Sequence, residues 1–141
     1  MIRPTTEMDY SRVCSLLQSE NLPDSDLQTN LPHFFVKTIN EEIVGSIGME
    51  QYGHSGLLRS MIVSPAFRNK GIASELVNQL TQYARDHGVR KLFLITNTAA
   101  NYFQRLGFVK ITRDKVETEV LQSKEFNGLC PASSSIMMKH L

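Results

Sequence analysis

Residues 57–96 read LLRSMIVSPAFRNKGIASELVNQLTQYARDHGVRKLFLIT, and the way this stretch divides decides the fold. Leu57 to Val63 is a largely apolar run interrupted by Arg59 and Ser60, the pattern of a central, mostly buried strand. Pro65 ends it. Ile72, Ala73, Leu76, Val77, Leu80, Tyr83 and Ala84 then form an apolar stripe at helical spacing. Gly88 is placed as the C′ residue of that helix. Lys91 to Thr96 follows as a short buried strand. Strand, helix and strand in this order predict a right-handed βαβ unit.

On its N-terminal side, Phe34–Thr38 and Ile43–Tyr52 read as a hairpin turning at Asn40-Glu41-Glu42. Gly53-His54-Ser55-Gly56 is another turn. Residues 6–19 predict a helix, with Tyr10, Val13, Leu16 and Leu17 at helical spacing and Thr5 or Thr6 as cap. Asn21-Leu22-Pro23-Asp24 stops it, and a short second helix is expected from Asp24 to Thr29. On the C-terminal side, Thr98–Leu106 predicts an amphipathic helix ended by Gly107. Phe108–Thr112 and Ser134–Lys139 read as strands, with loop and a short helix over 115–126. Adding a first strand at the N-terminus gives an α+β chain. Its mixed central sheet has about six to seven strands flanked by about four helices, in a single domain, 1–141.

Composition narrows the function classes. Fifteen Lys+Arg against fourteen Asp+Glu leave a formal charge of +1, which argues against a globally basic nucleic-acid binder. No apolar run approaches the roughly 20 residues that span a bilayer, and the N-terminus lacks a signal-peptide core. The expected compartment is cytoplasmic. Cys14 and Cys130 make neither a disulfide framework nor a metal site, and His33, His54, His87 and His140 have no metal spacing, so no metal is expected.

Chemistry concentrates at the junction Arg68-Asn69-Lys70-Gly71-Ile72-Ala73, of the form Arg-x-x-Gly-x-Ala. Gly71 lets a ligand approach the backbone, and N–H groups at a helix N-terminus suit a phosphate or pyrophosphate. Arg68 and Lys70 add charge on the same lip. The competing reading is a plain strand-to-helix turn with solvated cations. Neither a P-loop nor a three-glycine dinucleotide fingerprint is present.

Three runs in order, Leu58-Arg59-Ser60-Met61-Ile62-Val63-Ser64-Pro65, Arg68 to Ala73, and Ala99-Ala100-Asn101-Tyr102-Phe103-Gln104-Arg105-Leu106-Gly107-Phe108, resemble the GNAT acetyl-CoA-dependent N-acetyltransferases. The resemblance implies acetyl-CoA as co-substrate. Its pyrophosphate would lie on Arg68, Asn69, Lys70, Gly71, Ile72 and Ala73, and its pantetheine arm along Met61, Ile62 and Val63. Thr96, Asn97 and Phe103 would border it. Shorter runs, Glu50-Gln51-Tyr52-Gly53, Leu57-Leu58-Arg59-Ser60 and Phe126 to Ser133, are similar to the arsenic-resistance-associated (ArsN-type) group, and the layout is similar to the catalytic domain of N-acetylglutamate synthases. These imply a small, amino-acid-like amine as acceptor.

The sequence departs from the family at the Phe-Tyr pair whose tyrosine protonates the leaving thiolate. Here the pair is Tyr102-Phe103, so Tyr102, the remaining catalytic candidate for that proton, lies about 100° around the helix from that place. The family's Asn at the start of this helix falls on Thr96, next to Asn97. Glu50 is the first candidate for the base that deprotonates the amine through water, and pairing with Arg59 is its alternative. His54 is a second candidate. Arg59, a cation in a covered strand, needs a partner. It reads as a clamp for an acceptor carboxylate or as an ion pair with Glu50 or Glu42. Cys130 reads as a lining residue of the acceptor pocket or as an inert small hydrophobe.

The expected function is N-acetyl transfer by direct attack through a tetrahedral intermediate. A non-catalytic acetyl-CoA-binding sensor is the alternative. The expected partner is a small-molecule amine, with no nucleic acid and no membrane. A homodimer is among the expected assemblies, with strand 134–139 pairing across it if that strand lies at a sheet edge.

Overall fold

The computed structural model describes residues 1–130 and 133–141; Pro131 and Ala132, part of the tail quoted above, lie outside the described residues. The elements in chain order are β1 (Ile2–Pro4), α1 (Tyr10–Ser19), β2 (Phe34–Ile39), β3 (Glu42–Tyr52), β4 (Ser55–Val63), α2 (Ile72–Asp86), β5 (Lys91–Thr96), α3 (Ala100–Arg105), β6 (Val109–Ile111), α4 (Thr118–Leu121) and β7 (Ser135–His140). The strands hydrogen-bond in the order β1-β2-β3-β4-β5-β7-β6. β4 and β5 run parallel, with Ser55–Leu57 opposite Lys91–Phe93, and the other pairings described are antiparallel. This is the expected mixed α+β sheet, with the βαβ unit at its centre.

The chain divides into two compact units, Met1–Met49 with Arg59–Tyr83, and Glu50–Leu58 with Ala84–Leu141. In the first, Val13, Leu16 and Leu17 of α1 pack with Leu31, Phe34, Val36, Ile43 and Ile62. Val13, Leu17 and Val36 are fully buried. Each such side chain contributes about 1.5–3 kcal/mol relative to exposure. The β2–β3 turn places Asn40 at φ 50 and Glu41 at φ 66. Two left-handed residues in a two-residue loop match the twist of a tight hairpin. Gly48 has no room for a side chain, because the ring of Phe34 lies over it.

The second unit buries Leu57, Phe93, Val116, Val120 and Phe126 together. Gly88, at φ 81, ends α2, and the Val89 amide reaches back to the Ala84 carbonyl at 2.9 Å. Gly107, at φ 95, ends α3 in the same left-handed way.

Three local expectations are corrected, and one condition is settled. The helix expected over 6–19 begins as a single tight turn at Glu7–Asp9, and α1 proper starts at Tyr10. Residues 24–29 form turns and not a helix; the Leu27 amide bonds the Asp24 carbonyl at 3.1 Å. Asp24, Ser25 and Asp26 favour such turns over helix interiors, while Leu22 and Leu27 pack on the first core. Ser55 and Gly56 belong to β4 and not to the turn before it. β7 is not an edge strand, since β6 pairs with it at Ile136–Met138 on the side away from β5. The edge condition attached to a homodimer therefore fails for this strand.

At the start of the chain, Arg3 grips Asp9 through two bonds of 2.8 and 2.9 Å. That guanidinium, aided by the Thr6 amide, holds the Asp9 carboxyl below its ordinary value despite the opposing effect of burial. A carboxyl lowered in the fold stabilises above its unfolded pKa, and that contribution fades as pH falls through the lowered folded value. Asp9→Asn is therefore expected to flatten the decline of stability below about pH 4. Denaturant midpoints measured at several pH values check this.

Candidate functional site

The first unit carries the glycine turn. Helix α2 starts at Ile72, and its first-turn N–H groups have no carbonyl partner within the helix. Gly71 stands just before it at φ 79, and Asn69 at φ 62. Successive backbone N–H groups in such a turn make an anion-binding concavity. A Cβ at Gly71 would meet no atom within 4 Å, so the space over that backbone is open. Arg68, Asn69, Lys70 and Gly71 are exposed, Ile72 is buried and Ala73 half-buried. Arg68 is already engaged: Nε donates to the Val63 carbonyl at 3.0 Å, and a terminal nitrogen meets Glu20 at 2.5 Å. Glu20 therefore offsets part of the positive charge that the sequence places on this lip.

Strand β4 leads into that turn through Met61, half-buried, and Ile62 and Val63, buried. Ser60 sits at φ 58 within the strand. A non-glycine residue held there costs about 1–3 kcal/mol and persists only where neighbours fix it. Here Ser46 Oγ donates to the Ser60 carbonyl at 2.9 Å, and Arg59 Nε donates to Ser60 Oγ at 3.1 Å. Nothing in the residue types beyond the polar break at Arg59-Ser60 signalled this kink.

Arg59 is buried, and its terminal nitrogens meet both oxygens of Asp26 at 2.5 and 2.8 Å. The two side chains are 2% and 6% exposed. The sequence points to Glu50 or Glu42 for this role and not to Asp26. It lies 33 residues away, in a loop with no periodic signal. Glu42 instead pairs with Arg12 at 3.6 Å.

The second unit holds the other candidates. Glu50 and Tyr52 project from β3, and the Tyr52 hydroxyl donates to Glu50 Oε1 at 2.5 Å. The ring nitrogen Nδ1 of exposed His54 lies 3.0 Å from the Gly88 carbonyl, so Nδ1 carries a proton and donates. Thr96 Oγ1 accepts from the Ala99 amide at 3.0 Å and so caps the approach to α3, with Asn97 exposed beside it. Phe103 is buried and packs edge-to-face on Phe108 at 5.5 Å. Tyr102 packs edge-to-face on Phe103, with the Arg105 guanidinium over its ring. Burial raises the Tyr102 hydroxyl above its ordinary pKa, and Arg105 opposes this. Cys130 is half-buried, and its amide bonds the Glu125 carbonyl at 3.3 Å. Among the described residues no cluster of His, Cys, Asp or Glu could hold a metal ion, and no helix is long and apolar enough to cross a membrane.

Comparison with known proteins agrees with this layout. The model of the Acetyltransferase (GNAT) family matches residues 3–108. Acetyltransferase ECA0875 of Pectobacterium atrosepticum is 27% identical over 121 residues, 80% of this chain and 86% of that protein. The N-acetylglutamate synthase of Neisseria gonorrhoeae, solved with coenzyme A and N-acetyl-glutamate, superposes with a TM-score of 0.86 at 19% identity. That alignment covers 100% of this chain but 35% of the synthase, so the chain spans about a third of that protein. Rv2747 of Mycobacterium tuberculosis, solved with CoA, gives 0.82 at 21% identity, covering 100% of this chain and 99% of that one.

Proposed function

The chain belongs to the GNAT acetyltransferase family, and from that premise we propose that it is an acetyl-CoA-dependent N-acetyltransferase acting on a small, amino-acid-like amine. The observation that carries the cofactor half is Gly71, left-handed at φ 79 beside the first turn of α2 with open space above it. That turn is shaped to receive a pyrophosphate on backbone N–H groups. Arg68, Asn69, Lys70, Ile72 and Ala73 complete it, and the backbone of Met61, Ile62 and Val63 carries the pantetheine arm. Thr96, Asn97 and Phe103 are proposed to border the cofactor, Phe103 through its buried packing.

In the proposed reaction the ammonium of the acceptor loses a proton through water to Glu50. The neutral nitrogen attacks the thioester carbonyl, and its electron pair forms the new C–N bond. A β4 amide near Ile62 or Val63 holds the oxyanion of the tetrahedral intermediate. Collapse breaks the C–S bond and expels the thiolate, and the second proton of the attacking nitrogen, now cationic, passes through water to the thiolate sulfur, leaving the neutral amide and the free thiol. A thiol with a pKa near about 8.5 leaves well as thiolate, so the raised Tyr102 hydroxyl is an accessory proton source.

The acceptor class rests on the sequence resemblance and on the amino-acid ligand of the synthase from Neisseria gonorrhoeae. Arg59 is the proposed contact for an acceptor carboxylate, its guanidinium already held in plane by Asp26, and Cys130 is a proposed lining residue. The ArsN-type resemblance adds arsenic-bearing amino acids to the candidates.

The test is thiol release from acetyl-CoA with free amino acids and their phosphinic and arsenic analogues. At least one is expected to be acetylated. Binding of acetyl-CoA without turnover on any of them would favour the sensor alternative. Arg59→Gln, assayed well below the lowered unfolding midpoint that breaking the Asp26 pair entails, is expected to raise KM for carboxylate-bearing amines at least tenfold while leaving simple alkylamines unchanged. Equal effects on both classes would remove the clamp role.

A further inference from the structure

Glu50 and Tyr52 are two residues apart on β3, so both side chains stand on the same face of the strand. The Tyr52 hydroxyl donates to Glu50 Oε1 at 2.5 Å, in a partly buried setting. Its ring packs against the core of Leu57, Phe93, Val116, Val120 and Phe126. The hydroxyl is thus fixed by packing, and the carboxylate is fixed by the hydroxyl. A carboxylate restrained in this way has less side-chain freedom to lose on each turnover.

We infer that Tyr52 is a positioning residue for the base of the acetyl-transfer reaction. This rests on the reading of Glu50 as that base. The hydrogen bond to Oε1 sets the plane of the carboxylate and so directs Oε2. The acceptor's N–H bond breaks toward a water, and a proton from that water forms a bond to Oε2. Tyr52 transfers no proton; it keeps its own throughout and holds Oε1 as acceptor. The sequence shows a family tyrosine displaced from position 103, and a second tyrosine, at 52, acts on the base and not on the leaving group.

The experiment is a double-mutant cycle of Tyr52→Phe and Glu50→Gln, read by thiol release with the best amine of the panel and by acetyl-CoA titration. Phenylalanine keeps the ring in the core. Tyr52→Phe is expected to lower kcat about tenfold, the scale of one charge-assisted hydrogen bond. Its KM for the amine and its affinity for acetyl-CoA should stay at wild-type values, which also reports an intact fold. Glu50→Gln is expected to lower kcat at least a hundredfold, and adding Tyr52→Phe should then lower it no further. A wild-type kcat for Tyr52→Phe, or the same fractional loss in both backgrounds, would overturn the positioning role and leave Glu50 as base. Full activity of Glu50→Gln would overturn the base assignment beneath it, and the inference with it.

Discussion

Asp26→Ala is expected to lower the midpoint of thermal unfolding by roughly 10–15 °C, the largest single effect on stability predicted for this chain. The reason lies in the burial of the pair. Arg59 and Asp26 expose 2% and 6% of their side chains, so the guanidinium has little water to replace the carboxylate. Removing one partner of a buried pair costs about 3–5 kcal/mol, because the other charge is left in a poorly solvated site. The loop after α1 should loosen as well, since Asp26 ties it to β4 while Leu27 and Leu31 pin it to the core. Replacing both members by apolar residues of similar volume, Asp26→Leu with Arg59→Met, should recover most of the loss. Scanning calorimetry of the three variants decides this. A midpoint for Asp26→Ala within a few degrees of wild type would show that the pair is energetically idle.

Gly71→Asp is expected to weaken coenzyme A binding at least a hundredfold in a calorimetric titration, with little loss of fold stability beyond backbone strain. Gly71 occupies φ 79, where a side chain is disfavoured at a cost of about 1–3 kcal/mol. The new side chain would meet no atom of its own chain, because nothing lies within 4 Å of its Cβ. Its effect would fall on whatever approaches from outside. A carboxylate there would also accept the very N–H groups that the pyrophosphate needs, and would repel the phosphates directly. Gly71→Ala separates the contributions: it carries the strain and little of the bulk, so a smaller loss, about tenfold, is expected. Wild-type affinity in Gly71→Asp would refute the placement of the pyrophosphate on residues 68–73.

Legibility followed the range of the interactions. Strand β5 was readable to the residue, and α2 to within its ends, because a buried strand and an amphipathic helix write their periods into adjacent residues. The glycine turn was readable because Gly71 and Gly88 are the residue type that a left-handed backbone demands. Helix expectations failed where the signal was weak. Residues 24–29 carry two aspartates and a serine, and no apolar stripe outvotes their preference for turns. The Ser60 kink is not legible, because serine is not a residue that marks a left-handed conformation; Ser46 and Arg59 hold it there.

The candidate site divides in the same way. The periods of the sequence determined an α+β fold with a glycine turn between a buried strand and a long helix, and its resemblance to the acetyltransferases supplied the proposal that this turn receives a pyrophosphate. The residue types also determined that a buried Arg59 must find a partner. Only the tertiary structure decided that Asp26 answers that need, that Arg68 leans on Glu20, and that Tyr52 bonds Glu50. It also placed β7 inside the sheet, between β5 and β6. A side chain's need for a countercharge is local chemistry and is written in its own residue. Which carboxylate answers it depends on loop closure over tens of residues, and no local period records that.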